Sequence, residues 1–531
     1  MEKLYYNGDI ITMESEEDEY EALVEKNGVI EALGNLDELK LKYPEAELVN
    51  LNGKTLMPAF IDPHGHISLT MQMVTKANLG DCTSMEEITQ TIKQYIEDND
   101  VKPGTLVMGY NYDHNILPDF KHPDKYVLDK ASDKHPIIIL NTSLHMCVVN
   151  SMMLDMAGYV KGEKDPEGGH IGVDEATGEP NGYLEETAMN KAFWQLRGTY
   201  DDVDKCLREA QKLYLSYGIT TVQDGAASRK DVETFVKAGN EGKLDIDIVS
   251  YPVIGEGVEK IFSDYPEYDE KYKNHLKLGG YKLVLDGSPQ GRSAYMSKPY
   301  EEMGDYRGYP RFTDEQVDAF CKKAVDDDRQ LLTHCNGDAA GDQLLSSYVK
   351  ALKESDNSDK DNLRPVMIHC QTARDEQLDI MAKINMIASI FVGHVFYWGD
   401  VHIRNMGEER GSRVSPVASA VKRGISVNFH QDTPVTLPKM FHSVWTAVNR
   451  KTRSGRVIAP EQRVDVYEAL KAVTINAAYE YFEEDKKGSL KAGKCADMII
   501  CDRNPLKAAP DDIKDIVVLE TIKDGVTLYK R

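Results

Sequence analysis

The chain has 531 residues, of which 41% are hydrophobic and 28% are charged, and its formal net charge is -25. This composition predicts a soluble globular protein of about two or three domains, and the negative charge disfavours binding to nucleic acid or to an anionic membrane surface. No apolar run approaches membrane-spanning length. The eight cysteines are scattered without a Cys-x-x-Cys pair, so we expect reduced thiols and a cytoplasmic location.

Both ends of the chain predict short β-strands. Residues 1–57 contain apolar segments joined by tight-turn dipeptides such as Asn27-Gly28, and residues 485–531 contain apolar segments joined by Asp524-Gly525. We therefore predict one small β-sandwich, built from residues 1–57 and 485–531, which flanks a central domain of residues 58–484.

Apolar strands alternate regularly with helical stretches after residue 218. Together with the apolar run before residue 66, the predicted strands number eight: 56–66, 218–224, 246–253, 278–286, 330–334, 364–369, 386–394 and 425–432. Eight parallel strands with intervening helices are typical of an α/β fold of the (β/α)8, or TIM, barrel type. The long gap after the first strand predicts an insertion subdomain at residues 67–200, on a loop at the catalytic face of the barrel.

The first of these strands is followed by two histidines that could bind a metal. The sequence Ile61-Asp62-Pro63-His64-Gly65-His66 places both imidazoles on one side of the extended chain, where they could hold one divalent ion. The motif alone is short, and two hydrogen-bonded loop histidines are the simpler interpretation of it. The later strands are what favour a metal site.

Lys282 lies inside the apolar fourth strand. Burying an ammonium group costs several kcal/mol unless the group loses its charge. A neutral lysine amine can add carbon dioxide and become a carbamate that bridges two metals. An ion pair with Asp286, on the same face of the strand, is the alternative that remains open at this point.

Three further strands end in residues that could serve the same centre. His334 and His369 close the fifth and sixth strands, and Asp432 lies at the end of the eighth. Barrel enzymes place their chemistry at this edge of the sheet. Asp432 could bind a metal and accept a proton from water, or it could cap the following helix.

The ordered set His64, His66, Lys282, His334, His369 and Asp432 resembles the amidohydrolase superfamily. The wider chain resembles its branch of N-substituted formamide deformylase and related metal-dependent hydrolases, in motifs that include residues 109–113, 182–186 and 488–497. One departure concerns the eighth strand, where many relatives carry a Gly-Ser pair and this chain has His430-Gln431. His430 shares the interior face with Asp432, so the local chemistry there is left open.

This resemblance implies a metal-dependent hydrolase of carbon–nitrogen bonds other than peptide bonds, acting on a small amide, formamide or cyclic amide. It implies one or two zinc ions, or iron or manganese, held by the six residues of the set with Lys282 carboxylated. The metal would activate water to hydroxide, and Asp432 would carry the proton to the leaving nitrogen. A deaminase, or an esterase or lactonase, would use the same chemistry. A non-catalytic protein that binds a small molecule is the alternative from another class.

Four further residues are candidates for contact with a small-molecule substrate. Arg292 could bind a substrate carboxylate through two hydrogen bonds, and the other three are His145, Glu185 and His394. A structural role is an equal alternative for each of them. The sequence does not identify the substrate, and it is compatible with a homodimer.

Overall fold

The computed structural model describes residues 2–142, 146–166, 169–194 and 202–531. The chain divides into two compact units. Unit 1 consists of Met1–Ser68, Gln211–Thr433 and Leu437–Arg531, and unit 2 consists of Leu69–Ala210 and Pro434–Thr436. Within the described ranges, we find no helix with both the length and the apolar character needed to cross a membrane.

The strands of the described residues are, in chain order, β1 (Glu2–Tyr6), β2 (Asp9–Ile10), β3 (Ala22–Lys26), β4 (Val29–Gly34), β5 (Glu47–Asn50), β6 (Thr55–Pro58), β7 (Phe60–Ile61), β8 (Ala77–Asn78), β9 (Val107–Tyr112), β10 (Ile137–Asn141), β11 (Met146–Val149), β12 (Gly169–Val173), β13 (Pro180–Glu186), β14 (Ile219–Ala227), β15 (Asp247–Pro252), β16 (Leu276–Leu278), β17 (Gly280–Val284), β18 (Gln330–Cys335), β19 (Val366–His369), β20 (Ile387–Ile390), β21 (Val427–Phe429), β22 (Met498–Cys501), β23 (Val518–Lys523) and β24 (Val526–Lys530).

The α-helices of the same residues are α1 (Leu36–Lys42), α2 (Ile67–Met73), α3 (Met85–Asp98), α4 (Lys125–Asp129), α5 (Ser151–Ala157), α6 (Asn190–Trp194), α7 (Val203–Ser216), α8 (Arg229–Asn240), α9 (Glu259–Asp264), α10 (Asp314–Asp326), α11 (Asp338–Glu354), α12 (Asp375–Lys383), α13 (His394–Ser412), α14 (Val417–Val421), α15 (Met440–Asn449), α16 (Val466–Lys471) and α17 (Ile475–Glu480).

Two sheets of unit 1 contain the terminal strands. One has the order β4-β3-β1-β5, and the other has the order β2-β6-β22-β23-β24, so that strands from both ends of the chain pair in it. Met57 lies opposite Ile499 in the antiparallel pairing of β6 with β22. Apolar side chains from both ends form one buried cluster: Tyr5, Ile10, Leu23, Ile30, Leu51, Leu56, Leu490, Ala496, Met498, Ile500 and Ile522.

The remaining strands of unit 1 are parallel and follow one another in chain order. One sheet has the order β16-β15-β14-β7 and the other has the order β17-β18-β19-β20-β21. A parallel bridge between Val253 and Lys282 connects the two sheets, and helices such as α8, α11 and α12 lie between the strands in the chain. The α/β class is therefore confirmed. A closed barrel also requires the last strand to meet the first, and this stays a prediction.

Two of the predicted strands are divided in the structure, and the eighth, predicted as 425–432, ends at Phe429 and does not reach Asp432. The first is divided, since β6 belongs to a terminal sheet and β7 to the parallel one. The Ala59 N–H donates to Asp497 O at 2.9 Å and the Phe60 N–H donates to Gly218 O at 2.8 Å. The fourth is divided at Gly279, where a Cβ atom would overlap the Tyr251 ring. These divisions occur because the backbone changes hydrogen-bonding partners within one apolar run.

The seventh strand was predicted to extend to His394, and this is wrong. β20 ends at Ile390, and His394 begins α13. Phe391 and Val392 are 1% and 0% exposed, so the apolar pattern continues through a buried turn after the strand has ended. Tyr397 and Trp398 lie in this helix.

Unit 2 contains a six-stranded sheet of order β12-β13-β11-β10-β9-β8. Alternate side chains of β10 enter two different apolar clusters, with Ile138 and Leu140 in one and Ile137 and Ile139 in the other. This alternation follows from the two-residue period of a strand that is covered on both faces. β12 and β13 form an antiparallel hairpin.

Candidate metal centre

His64 and His66 follow β7 in a tightly held turn of unit 1. The His66 N–H donates to Thr433 O at 2.8 Å, and a Cβ atom on Gly65 would lie 3.0 Å from Asp62 Oδ2. The absence of a side chain at position 65 thus allows the two histidines to turn toward the same point. The side chains of His64 and His66 are 1% and 23% exposed.

Asp432 follows β21, which ends at Phe429, and its side chain reaches these histidines. Its Oδ1 lies 3.5 Å from His64 Nε2 and 3.2 Å from His66 Nε2. One ligand-capable atom from each of the three residues lies within 4.8 Å of the others, so one divalent ion could reach all three. Burial would raise the pKa of Asp432, but its hydrogen bond with His66 and the neighbouring imidazoles hold that pKa well below its usual value. Asp432 is therefore a carboxylate at neutral pH.

Lys282 approaches the same point from β17. It is 1% exposed, and its Nζ lies 3.2 Å from His64 Nε2. Burial lowers the pKa of Lys282 to about 7, although Asp432 and Glu480 act in the opposite direction. A substantial fraction of this amine is therefore uncharged at neutral pH, as carbamate formation requires.

The alternative pairing of Lys282 with Asp286 is not found among the ion pairs of the described residues. The Asp286 carboxylate instead accepts three backbone hydrogen bonds, from Asn336 at 3.0 Å, Gly337 at 2.7 Å and Tyr295 at 3.0 Å. Burial raises the pKa of Asp286 to about 7, and these hydrogen bonds lower it. Asp286 thus holds loop backbone and does not neutralise the lysine.

His334 and His369 come from the neighbouring strands β18 and β19. His334 Nδ1 lies 3.0 Å from His369 Nε2, and His369 Nε2 lies 3.9 Å from Asp432 Oδ2. Burial lowers the pKa of His334 to about 3 and the pKa of His369 well below its usual value. Both rings are therefore neutral at pH 7, which is the form that binds metal.

His430 adds another imidazole to this group. Its ring centroid lies 5.0 Å from that of His64 and 5.1 Å from that of His369. Burial lowers the pKa of His430 to about 3, although Asp432 and a backbone hydrogen bond with Ser389 raise it. Gln431 points elsewhere and donates to Ser443 Oγ at 2.6 Å. Of the two residues that replace the Gly-Ser pair of many relatives, only His430 thus places its side chain beside the predicted metal ligands.

The six residues predicted as ligands therefore lie together, and their chemistry fits a divalent metal. Neutral imidazoles, a carboxylate and a near-neutral amine converge, and this nitrogen and oxygen donor set suits zinc as well as iron or manganese. We call this group the metal cluster: His64, His66, Lys282, His334, His369 and Asp432.

The residues predicted to contact substrate have other described contacts. Arg292 Nε donates to Asn405 Oδ1 at 3.0 Å, and His394 Nδ1 lies 3.0 Å from His402 Nε2. Glu185 belongs to unit 2, where it accepts a hydrogen bond from Tyr183. The remaining candidate, His145, lies outside the described residues. A role for any of them in substrate binding stays a prediction.

Sequence reasoning did not find Gln223, which lies in β14 and is 0% exposed. Its Oε1 lies 2.6 Å from His64 Nδ1. The available signal was an amide side chain in the middle of an apolar strand, because such a group must find a partner when it is buried. That signal does not say which partner.

Comparison with known proteins gives one family and several similar structures. A model described as the amidohydrolase family matches residues 47–529. N-substituted formamide deformylase of Arthrobacter pascens is 27% identical over 99% of this chain and 98% of that protein. The structure of an uncharacterized metal-dependent hydrolase from Pyrococcus horikoshii OT3 covers 96% of this chain and 99% of that one, with 23% identity and a TM-score of 0.74. That of atrazine chlorohydrolase TrzN from Arthrobacter aurescens TC1, complexed with zinc, covers 99% and 95%, with 14% identity and a TM-score of 0.55.

Proposed function

The chain belongs to the amidohydrolase family, and on that premise we propose that it is a metal-dependent hydrolase that cleaves a carbon–nitrogen bond, other than a peptide bond, in a small amide, formamide or cyclic amide. The observation that carries this proposal is the convergence of His64 Nε2 and His66 Nε2 on Asp432 Oδ1, at 3.5 and 3.2 Å, beside a buried lysine. The similarity to a protein named N-substituted formamide deformylase supports the choice of bond.

The metal cluster would hold one or two zinc ions. Zinc is favoured because the cluster is rich in imidazole, and because atrazine chlorohydrolase TrzN, which has a similar structure, was solved as a complex with zinc. Iron or manganese would suit the same donors. When bound, such an ion lowers the pKa of a water molecule to about neutrality and so supplies a hydroxide nucleophile.

Asp432 would move the proton in this reaction. It is a carboxylate at neutral pH, since its pKa is held well below the usual value. Its side chain is 14% exposed, so solvent and a small substrate could reach it. We propose that Asp432 accepts the proton released by the attacking water and then delivers it to the leaving nitrogen.

Lys282 would enter the centre as a carbamate. Its amine is buried, has a pKa of about 7 and lies 3.2 Å from His64 Nε2. Addition of carbon dioxide to the neutral nitrogen forms a nitrogen–carbon bond and releases one proton, and the product is a carboxylate with two oxygen donors. Such a group would offer a metal a negatively charged oxygen ligand in place of a neutral amine.

Two structural expectations belong with this proposal. We propose that the parallel strands of unit 1 close into a (β/α)8 barrel, because enzymes of that architecture carry their chemistry at the carboxyl ends of the strands. We also propose that residues 1–57 and 485–531 form one β-sandwich domain. Strands β2 and β6 already pair in one sheet with β22, β23 and β24.

The proposal is tested by metal analysis together with a hydrolysis panel. Protein purified without chelator should contain about one or two transition-metal ions per chain. It should hydrolyse at least one N-formyl, N-acyl or cyclic amide, and it should lose this activity with a chelator and regain it with zinc. Less than about a tenth of an ion per chain would contradict the site. Turnover of only esters and lactones, or only release of ammonia from an amino-substituted ring, would favour an alternative enzyme class.

A further inference from the structure

The buried side-chain amide of Gln223 contacts His64, the first histidine of the metal cluster, at the ring nitrogen Nδ1. We propose that Gln223 is a positioning residue that fixes the tautomer of His64, so that the Nε2 atom of His64 carries the lone pair offered to a metal. This inference rests on the proposed function, because it concerns the same centre. It adds a role for a residue that does not itself reach the ion.

The orientation of the Gln223 side chain follows from its neighbours. One end of the amide lies 2.6 Å from Pro63 O, and a carbonyl oxygen can only accept a hydrogen bond. The amide nitrogen must therefore face Pro63. The amide oxygen is consequently the atom that lies 2.6 Å from His64 Nδ1.

This orientation determines which nitrogen of His64 carries the proton. The amide oxygen of Gln223 can only accept, so Nδ1 must donate. A neutral imidazole has a single N–H group, which leaves a lone pair on Nε2. That Nε2 faces Asp432 Oδ1 at 3.5 Å. The same Nε2 also lies 3.2 Å from Lys282 Nζ, an amine that can donate to its lone pair, so Nε2 has a donor in the metal-free protein and the same lone pair is the one that a metal would bind.

The amide is itself held by a network of buried polar groups. Gln223 Nε2 also lies 3.3 Å from Glu480 Oε1 and 3.2 Å from the Tyr481 hydroxyl. That hydroxyl donates to Asp62 O at 2.8 Å, so its oxygen is free to accept from the amide. Glu480 Oε2 in turn accepts from Asn428 Nδ2 at 2.6 Å. Rotation of the Gln223 amide would break several of these contacts at once.

Gly225 provides independent evidence that the backbone accommodates this pair. A Cβ atom at position 225 would lie 2.6 Å from His64 Cε1 and 2.7 Å from Gln223 Oε1. Such distances are too short for ordinary contact, so any side chain there would displace either the ring or the amide. The strand β14 thus leaves space where the two groups meet.

The test compares three variants by zinc affinity, measured on metal-free full-length protein against a chromogenic chelator. Gln223→Met keeps the size of the side chain and removes the acceptor, and it should weaken zinc binding about 10–100-fold. Gln223→Glu, as a buried protonated acid, can still donate to Pro63 O and accept from Nδ1, and it should restore most of the affinity. Asn428→Leu is the matched control, because Asn428 is also 0% exposed and bonds to Glu480 but does not touch His64.

The outcomes separate this inference from the proposed function. If the parent protein binds no zinc, the proposed function fails and the inference fails with it. If the parent binds zinc and Gln223→Met binds it equally well, only the inference is overturned. Equal losses in Gln223→Met and Asn428→Leu would also overturn it, because they would show general damage to the network. Thermal unfolding of the metal-free proteins shows whether each variant is folded.

Discussion

Two buried polar clusters of unit 1 differ in how their charges are compensated. One is the metal cluster. The other, which we call the ion network, consists of three carboxylates and three lysines: Asp247, Lys277, Glu483, Lys487, Asp497 and Lys523. In the ion network, Lys487 lies 2.6 Å from Asp247 and 2.9 Å from Glu483. In the metal cluster, Lys282 has no carboxylate within ion-pair distance among the described residues.

The pKa values of the buried lysines and carboxylates differ between the two clusters in the same way. In the ion network, burial alone would lower the pKa of Lys487, but Asp247 and Glu483 raise it well above its usual value. Burial would likewise raise the pKa of Asp247, but Lys487 and Lys523 hold it well below. Lys282, which lacks such a partner, has its pKa lowered to about 7 by burial. The ion network completes its own charge balance, whereas the metal cluster presents donors that an external cation must complete.

The largest effect is expected from Asp432→Asn, which changes the metal cluster and leaves the ion network intact. The amide cannot accept and release a proton, so turnover of a carbon–nitrogen substrate should fall about 10²–10⁴-fold. Folding should be retained because no ion-network residue is altered. Steady-state kinetics and thermal unfolding measure the two effects. A variant with the turnover of the parent would show that another group carries the proton.

The second prediction compares two lysine-to-methionine substitutions, one in each cluster. Lys487→Met takes one of two lysine partners from Asp247 and one of two from Glu483, and it should lower the free energy of unfolding by about 3–5 kcal/mol, with zinc affinity unchanged. Lys282→Met removes a buried amine that has no counter-ion. It should leave the stability of the metal-free protein undiminished while zinc binding is lost. Urea unfolding and zinc titration of both variants measure these outcomes.

Controls for this comparison are present in the chain. Lys491→Met breaks an ion pair with Glu14 in which the lysine side chain is 61% exposed, and it should change stability little. A stable Lys487→Met or a destabilised Lys282→Met would remove the distinction between the two clusters.

A chemical rescue tests whether Lys282 acts as a carbamate. If it does, propionate should partly restore zinc binding to Lys282→Ala, and methylamine should not.

The metal cluster could be assembled from sequence because its members occupy readable positions. His334 and His369 each end an apolar run, and parallel strands bring such ends to one edge of a sheet. Lys282 was recognisable as a charged residue within an apolar strand. The same pattern placed β14, β15, β18 and β19 within a few residues of their observed bounds.

The remainder depends on contacts that no local pattern encodes. Gln223 meets Glu480 across 257 positions of sequence, and Asn428 meets the same carboxylate from another strand. The apolar run through Val392 masked the end of β20 because a buried turn is as hydrophobic as a buried strand. The ion network was not predicted, since its lysines and carboxylates resemble ordinary surface charges when they are seen in sequence.

The smallest predicted effect is a pH dependence of the Lys487→Met defect. In the parent, the folded pKa of Asp247 is depressed, so its contribution to stability is present above the unfolded pKa and is lost only as the pH falls through the folded value. Lys487 has a raised pKa and stays charged throughout the neutral range. Neither group therefore changes the stability of the parent between about pH 7.5 and pH 5.5.

The variant differs because Asp247 has lost one lysine and its folded pKa rises. Protonation of Asp247, or of His275 at 2.8 Å, then relieves the uncompensated charge as the pH falls. His275 already has a pKa raised by its hydrogen bond to Asp247, and its stabilising effect is present at low pH and lost as the pH rises through the folded value. The stability gap between parent and variant should therefore narrow by about 1 kcal/mol from pH 7.5 to pH 5.5. Urea unfolding at both pH values measures this, with Lys491→Met as the pH-independent control. A constant gap would mean that Lys523, 3.0 Å from Asp247, is sufficient to keep that carboxylate charged.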